Sequence, residues 1–317
     1  MTRRRTSLRG GANIGANVLP SPGAPGKSAQ APLVRRVRRV TSGGTIRTVL
    51  AVVIFFASVF PVYWMINSSL LPGAVVRSTE PHLWPDQFTL DNYVTVLTPG
   101  TRSIDFLPAL RSSLLVTLTA VFFALLFAFL AALALSRFAF RSRRALIVGV
   151  LIIQMIPAEG MMIATFRVLD GWSLVNSATG LTLVYIATVL PFTIWTLRGF
   201  LNGVPAELEE AAMVDGCSRM GAFWRVTFPL LGPGLAATGV FAFIQAWNEF
   251  TYALVIMNRA DQRTLPVWLR AFVQTTSATD WAVIMAGSTL VAIPVIIFFL
   301  IVQGRMTSGL VAGAVKG

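Results

Sequence analysis

The sequence predicts an all-α membrane protein with six transmembrane helices, and three observations carry that expectation. The chain is 55% hydrophobic and only 12% charged, against about 25% charged in an average soluble domain. Its mean hydropathy is +0.71. Six apolar runs lie near 45–70, 109–135, 145–167, 178–199, 233–257 and 281–302, each close to the roughly 20 residues that cross about 30 Å of hydrocarbon. A soluble globule of 317 residues could not hide this much apolar surface, which argues against a soluble enzyme. The same numbers exclude disorder of the whole chain.

Residues 1–44 differ from the rest. They hold Arg3, Arg4, Arg5, Arg9, Lys27, Arg35, Arg36, Arg38 and Arg39, no acid, and many Gly, Pro and Ser. Such a composition cannot pack a core and predicts a disordered basic tail. Gly26-Lys27-Ser28 invites a phosphate-loop reading, but that motif needs Gly five positions earlier and residue 21 is Ser. The run from 45 is too long for a signal-peptide core and lacks a small-residue cleavage pattern, so it is expected to remain as the first span of a membrane domain over 45–317.

Six crossings put both termini on one side. Basic residues of short loops set which side. With the N-terminus in the cytoplasm, 19 of the 26 basic residues fall inside and seven outside. Both ends are therefore expected in the cytoplasm. The acids inside are Glu207, Glu209, Glu210 and Asp215, all in one loop. The net charge of +13 is thus an orientation and tail signal, and no nucleic-acid partner is expected. Outside lie 71–108, 168–177 and 258–280, the first rich in proline and read as a loop with short interfacial helices.

Candidate chemistry is sparse. The chain has one cysteine, Cys217, and one histidine, His82. An internal disulfide is impossible, and these two cannot supply a zinc site, so neither a metal site nor a catalytic residue is expected. His82 reads as a solvated loop residue. No segment forms a soluble domain able to bind and hydrolyse ATP unaided.

The spans carry three kinds of signal. Ala120, Ala124, Ala128 and Ala132 fall on one helical stripe, where small residues let another helix approach closely; the alternative is plain apolar filler. Pro61, Pro157, Pro191 and Pro294 each remove a backbone donor and favour a kink. Two carboxylates, Glu159 and Glu249, stand in or near apolar runs, where an acid normally faces a cavity or a polar partner. Asn248 and Glu249 fit a lining of a transport path or a gate near the outer face. They equally fit interfacial solvation, with Trp247 and Tyr252 at headgroup level. Glu159 fits a polar contact between helices.

The most informative stretch is the cytoplasmic loop 200–232. Pro205 suits a first helical position, and Glu207, Glu209 and Glu210 suit the positive end of a helix dipole. Gly216 reads as a left-handed C-cap. Ser218 then caps a second short helix through Phe223, Trp224 and Val226, ahead of Pro229. The result is a helix–turn–helix knob against the membrane face.

Glu210-Ala211-Ala212, three residues ending in Asp215, Gly216, then nine residues to Val226 and Phe228-Pro229 resembles the EAA loop of ATP-binding-cassette importer permeases. Val226 and Phe228 stand where that pattern usually has Ile and Leu. Ala134-Leu135-Ser136-Arg137-Phe138, Trp247-Asn248-Glu249-Phe250 and Gly309 to Gly317 narrow the resemblance to the carbohydrate, maltose-system type. It covers about residues 45–317.

The resemblance implies the type I importer fold, in a bacterial cytoplasmic membrane. It also implies a binding-protein-dependent sugar importer, whose partners would be a second, non-identical permease, an ATPase dimer and an extracellular solute-binding protein. ATP and Mg would sit on the ATPase and this chain would be non-catalytic. The coupling residues would be Glu210, Ala211, Ala212, Asp215, Gly216 and Pro229, with Glu210 paired to a basic residue of the ATPase. The 258–280 loop, with Arg263, Pro266 and Trp268, would touch the binding protein. An amino-acid or polyamine permease of the same superfamily is the alternative. A secondary transporter would show inverted repeats and paired membrane carboxylates, and a membrane enzyme would show a nucleophile–base pair or metal cluster.

Overall fold

The structure, a computed structural model, describes residues 42–100, 105–273 and 279–314. Residues 1–41 of the expected tail lie outside the described residues, as do Arg102 and the last three residues of the C-terminal motif. The chain divides into two compact units, 1–53 and 54–317. The described part of the first unit is the opening of helix α1 (Ser42–Ser69), exposed at Ile46, Val49 and Leu50.

In the second unit α1 ends, and α2 (Gly73–Val76) and α3 (Asp91–Leu97) follow at one end of the bundle. Asn92 is buried and donates to the carbonyls of Ser69 (2.9 Å) and Leu71 (2.8 Å). Asn67 donates to His82 O at 2.8 Å. The proline-rich 71–108 segment, as far as residue 100, is therefore stitched to the end of α1 by backbone carbonyls. As expected, it is a loop with short helices.

Then come α4 (Phe106–Arg137), α5 (Arg143–Met155), α6 (Met162–Gly171) and α7 (Ala178–Asn202). The closest-knit pair is α4 with α7. Ala120, Ala124, Ala128 and Ala132 are all 0–1% exposed. The upper two pack with Leu181, Val184, Tyr185 and Val189, and the lower two with Ile194, Leu197 and Leu201. The small-residue stripe is thus a seam within the chain, where methyl groups let two long helices lie close.

The third span bends where a kink was expected at Pro157, but far more sharply. α5 and the stretch Glu159–Gly171 meet at 88°. Ile156 is extended (φ −75°, ψ 122°), the conformation that a following proline imposes. A one-turn 3₁₀ segment, Glu159–Met161, then leads into α6. Glu159 is exposed at the bend, so it is not the helix–helix polar contact read from the sequence. Helices α1, α7 and α13 run on through Pro61, Pro191 and Pro294.

After α7 come α8 (Glu207–Val214), α9 (Arg219–Ala222) and α10 (Phe228–Trp247), then α11 (Thr251–Ile256), α12 (Leu265–Arg270) and α13 (Trp281–Ala314). A π turn over Phe223–Thr227 joins α9 to α10, with Phe228 N bonded to Phe223 O. The second short helix of the loop therefore does not stop before Pro229. It runs into the fifth span, with Pro229 just after the π turn, in the first turn of α10. That span ends at Trp247, ten residues before the expected 257. Phe243 stacks on Phe298 of α13 (4.0 Å between centroids) and Trp247 donates to Val291 O, which fixes α10 on α13. Among the described residues there is no strand. Five helices among the described residues are long and apolar enough to cross a membrane, and the bent pair makes a sixth if it counts as one span.

Candidate functional site

The 203–229 segment forms a knob at one end of the bundle. Ala206 O accepts from Glu209 N and Glu210 N to start α8, just after Pro205. The helix ends in a Schellman motif: Gly216 N donates to Met213 O at 3.1 Å and Cys217 N to Ala212 O at 3.0 Å. Gly216 has φ +93°, as read from the sequence. Ser218 Oγ accepts from Gly221 N at 3.1 Å, the expected N-cap, a contact typically worth about 1 kcal/mol.

The knob has two faces. Glu210, Ala211, Asp215 and Gly216 are exposed and Ala212 is half-buried, all within α8 and the turn that ends it; Pro229, also exposed, stands apart on α10. Several outward side chains are apolar. Val214 is 88% exposed, Met220 65% and Trp224 51%.

The inward face is polar and was not singled out by sequence. One oxygen of Glu209, Oε1, accepts from Arg137 Nε at 2.9 Å and from Thr227 Oγ1 at 2.7 Å. Arg137 also donates to Val204 O at 3.2 Å. Arg137 and Glu209 are only 15% and 14% exposed, and charge-assisted bonds are about twice as strong as neutral ones. Nearby, Arg219 lies over the Phe138 ring at 5.6 Å. Sequence showed four acids in this loop, but not which of them turns inward. The available hint was Arg137 itself, a charge at the end of a helix that has carried none since Arg111.

A second feature is a cleft of about 790 Å³ at the third-span bend, lined by Gln154, Pro157, Trp172, Thr188, Gln245 and Tyr252 among others. Neither Asn248 nor Glu249 lines it. Both oxygens of Glu249 are taken by the start of α11: Oε1 accepts from Tyr252 N at 2.7 Å and Oε2 from Ala253 N at 3.0 Å. Asn248 is exposed and donates back to Ile244 O. Glu249 is therefore a helix cap, and its effect on the cleft runs through Tyr252, whose hydroxyl donates to Ala158 O at 2.7 Å. That bond joins the break in the fifth span to the bend in the third. The neutral residues Gln154, Thr188 and Gln245 carry no sequence pattern that marks them as cleft-lining.

At the opposite end, Arg263 and Pro266 are half-exposed but Trp268 is 0% exposed. It packs edge-on against Phe106 (5.2 Å) and Phe272 (4.9 Å). Trp268 cannot reach a partner from there, so its role is to anchor the loop from beneath. Ser112 Oγ donates to Gln262 O, and Ser113 Oγ accepts from Leu265 N, both at 2.7 Å. Asn176 Oδ1 accepts from the amides of Asn258 and Arg259. Residues 274–278 of this loop lie outside the described residues.

Comparison with known proteins adds the following. Residues 124–310 match the family model described as "Binding-protein-dependent transport system inner membrane component". The chain is 45% identical over 281 residues to the diacetylchitobiose uptake system permease protein DasC of Streptomyces coelicolor, covering 89% of this chain and 100% of that one. It is 32% identical to the trehalose/maltose transport system permease protein MalG of Thermococcus litoralis, over 84% of this chain and 95% of that one. A chain of a bacterial ABC transporter that imports the acidic polysaccharide alginate shares the fold, with a TM-score of 0.69 and 24% identity over 86% of this chain and 99% of that one.

Proposed function

Because this chain belongs to the family of binding-protein-dependent transport system inner membrane components, we propose that it is one permease subunit of an ATP-driven sugar importer, and that the 203–229 knob is where it meets the ATPase. The observation that carries the second part is the bare tip of α8: Val214 stands 88% exposed on a helix held rigidly from its other side. The relatives named for diacetylchitobiose and for trehalose/maltose support a sugar of two or more units. Alternating basic and neutral loops support a knob facing the cytoplasm, with both termini on that side.

In this reading the chain is a multi-pass membrane protein that makes and breaks no bonds itself; ATP and Mg reside on the partner ATPase. Val214 and its apolar neighbours enter a cleft of the ATPase, and Glu210 and Asp215 supply charge at the rim. A second, non-identical permease completes the path, and a solute-binding protein delivers sugar to the end carrying 258–273. The cleft beside Pro157 is this chain's share of the path. Gln154, Thr188 and Gln245 offer amide and hydroxyl groups to sugar hydroxyls, and Trp172 offers an aromatic face.

Purification of the chain from its native membrane through a tag tests the reading. An ATPase subunit and a second permease are expected to come with it, and Val214→Asp is expected to shed the ATPase while leaving the permease pair intact. Recovery of the chain alone, with uptake insensitive to ATP depletion, would sink the proposal.

A further inference from the structure

Helix α8 buries none of its residues. Apolar packing therefore does not fix α8 itself: the knob's apolar anchors lie outside that helix, at the buried Val204, Ala222 and Phe223, with Phe223 against Phe129 of α4, so the placement of α8 depends on its polar attachments. They converge on one carboxylate oxygen. Glu209 Oε1 joins three segments: α8 itself, the end of α4 through Arg137, and the π turn entering α10 through Thr227. The other side of Arg137 is tied to Val204 O, just ahead of the knob.

α4 is fastened at its far end as well. Ser112 and Ser113 bond to Gln262 O and Leu265 N, and Phe106 packs on Trp268. From Ser113 to Arg137 the helix spans about 36 Å at 1.5 Å per residue, more than the roughly 30 Å of hydrocarbon. One continuous helix thus holds the knob at one end and the 258–273 loop at the other.

We propose that Arg137 and Glu209 are positioning residues that clamp the knob to α4, so that α4 carries the knob's displacement to the 258–273 loop. The proposal rests on the reading of the knob as the ATPase-docking surface. Arg137 is suited to the task because its planar guanidinium donates from two nitrogens at once, toward Glu209 and toward Val204; a lysine ammonium offers no such fork. A chain of contacts is not by itself evidence of coupling, so the test must read coupling.

The test uses the native complex, purified through a tag on this chain and reconstituted in liposomes with its solute-binding protein. Sugar taken up per ATP hydrolysed is measured for wild type, Glu209→Gln, Arg137→Gln, the double variant and Val214→Asp. The two single variants are expected to keep the ATPase subunit and to lose about tenfold in uptake per ATP, a typical allosteric coupling. The double variant is expected to lose less than the product of the two singles, because both break the shared Arg137–Glu209 contact. Glu209→Asp, which keeps the charge, is expected to recover part of the ratio. If Glu209→Gln fails to reach the membrane, Arg137→Lys reads the same ratio with the charge retained. Ratios within twofold of wild type, or losses that multiply in the double variant, would overturn the clamp. If Val214→Asp keeps both its ATPase and its coupling, the docking reading fails, and the clamp loses its basis with it.

Discussion

Gly216 turns the chain at φ +93° with nothing within 4 Å of where a Cβ would stand. Any penalty for substitution there is conformational, not steric, of roughly 1–2 kcal/mol for most residues. Gly216→Asn is therefore expected to keep most of the uptake rate, since Asn visits the left-handed region more readily than most residues, whereas Gly216→Val is expected to lose uptake while inserting normally. Equal rates for the two variants would show that the turn does not matter. Trp268 is the opposite case, a side chain whose worth lies in packing. Truncation of a buried aromatic costs about 3–5 kcal/mol, so Trp268→Ala is expected to lower the thermal midpoint of the purified protein; loss of affinity for a binding protein with an unchanged midpoint would contradict the buried role. Residues governed by local chain chemistry, such as Gly216 and Ser218, were legible in the sequence. Glu209, Trp268 and Glu249 were not: which way the first two turn is decided by segments far along the chain, Arg137 for one and Phe106 for the other. The backbone amides that Glu249 caps are close in sequence, but only the break after Trp247 exposes them.

Among the elements, α4 and α7 depend on the alanine stripe. A leucine at Ala128, which is 0% exposed, adds volume to a closed seam, and overpacking of this kind costs typically 1–3 kcal/mol. Ala128→Leu is thus expected to reduce the amount of protein recovered from the membrane, while the same change at Ala131, which is only half-buried, is expected to be milder. Equal recovery of the two would argue against the seam. The apolar spans themselves were legible because hydropathy alone sets their length. A kink at Pro157 was legible too, but not its 88° size, since Pro61, Pro191, Pro233 and Pro294 sit inside unbroken helices. What distinguishes Pro157 is its setting: an extended Ile156 before it, and Glu159-Gly160, a charge and a weak helix former, just after. The early end of the fifth span was equally hidden, because Asn248-Glu249 breaks the helix by capping the next one rather than through Gly or Pro.

For the whole molecule, the charge distribution and the fold agree on two chemically different ends. One end gathers Arg137, Glu209 and the bare apolar tip of the knob; the other gathers Asn176, Ser112 and the buried Trp268. The single cysteine, Cys217, sits in the knob next to Gly216, half-buried and 3.5 Å from an Arg225 nitrogen. A membrane-impermeant maleimide is therefore expected to label it in inside-out vesicles and not in intact cells, and to label it less when the ATPase is bound; labelling from outside intact cells would reverse the orientation. The central claim, that the chain passes sugar under the drive of a docked ATPase, is tested most directly by uptake of radiolabelled diacetylchitobiose, trehalose and maltose into liposomes holding the native complex. At least one of these is expected to enter only with ATP on the knob side and binding protein on the other, and the Val214→Asp complex is expected to take up none. Uptake that proceeds without ATP on an imposed proton or sodium gradient would contradict the account.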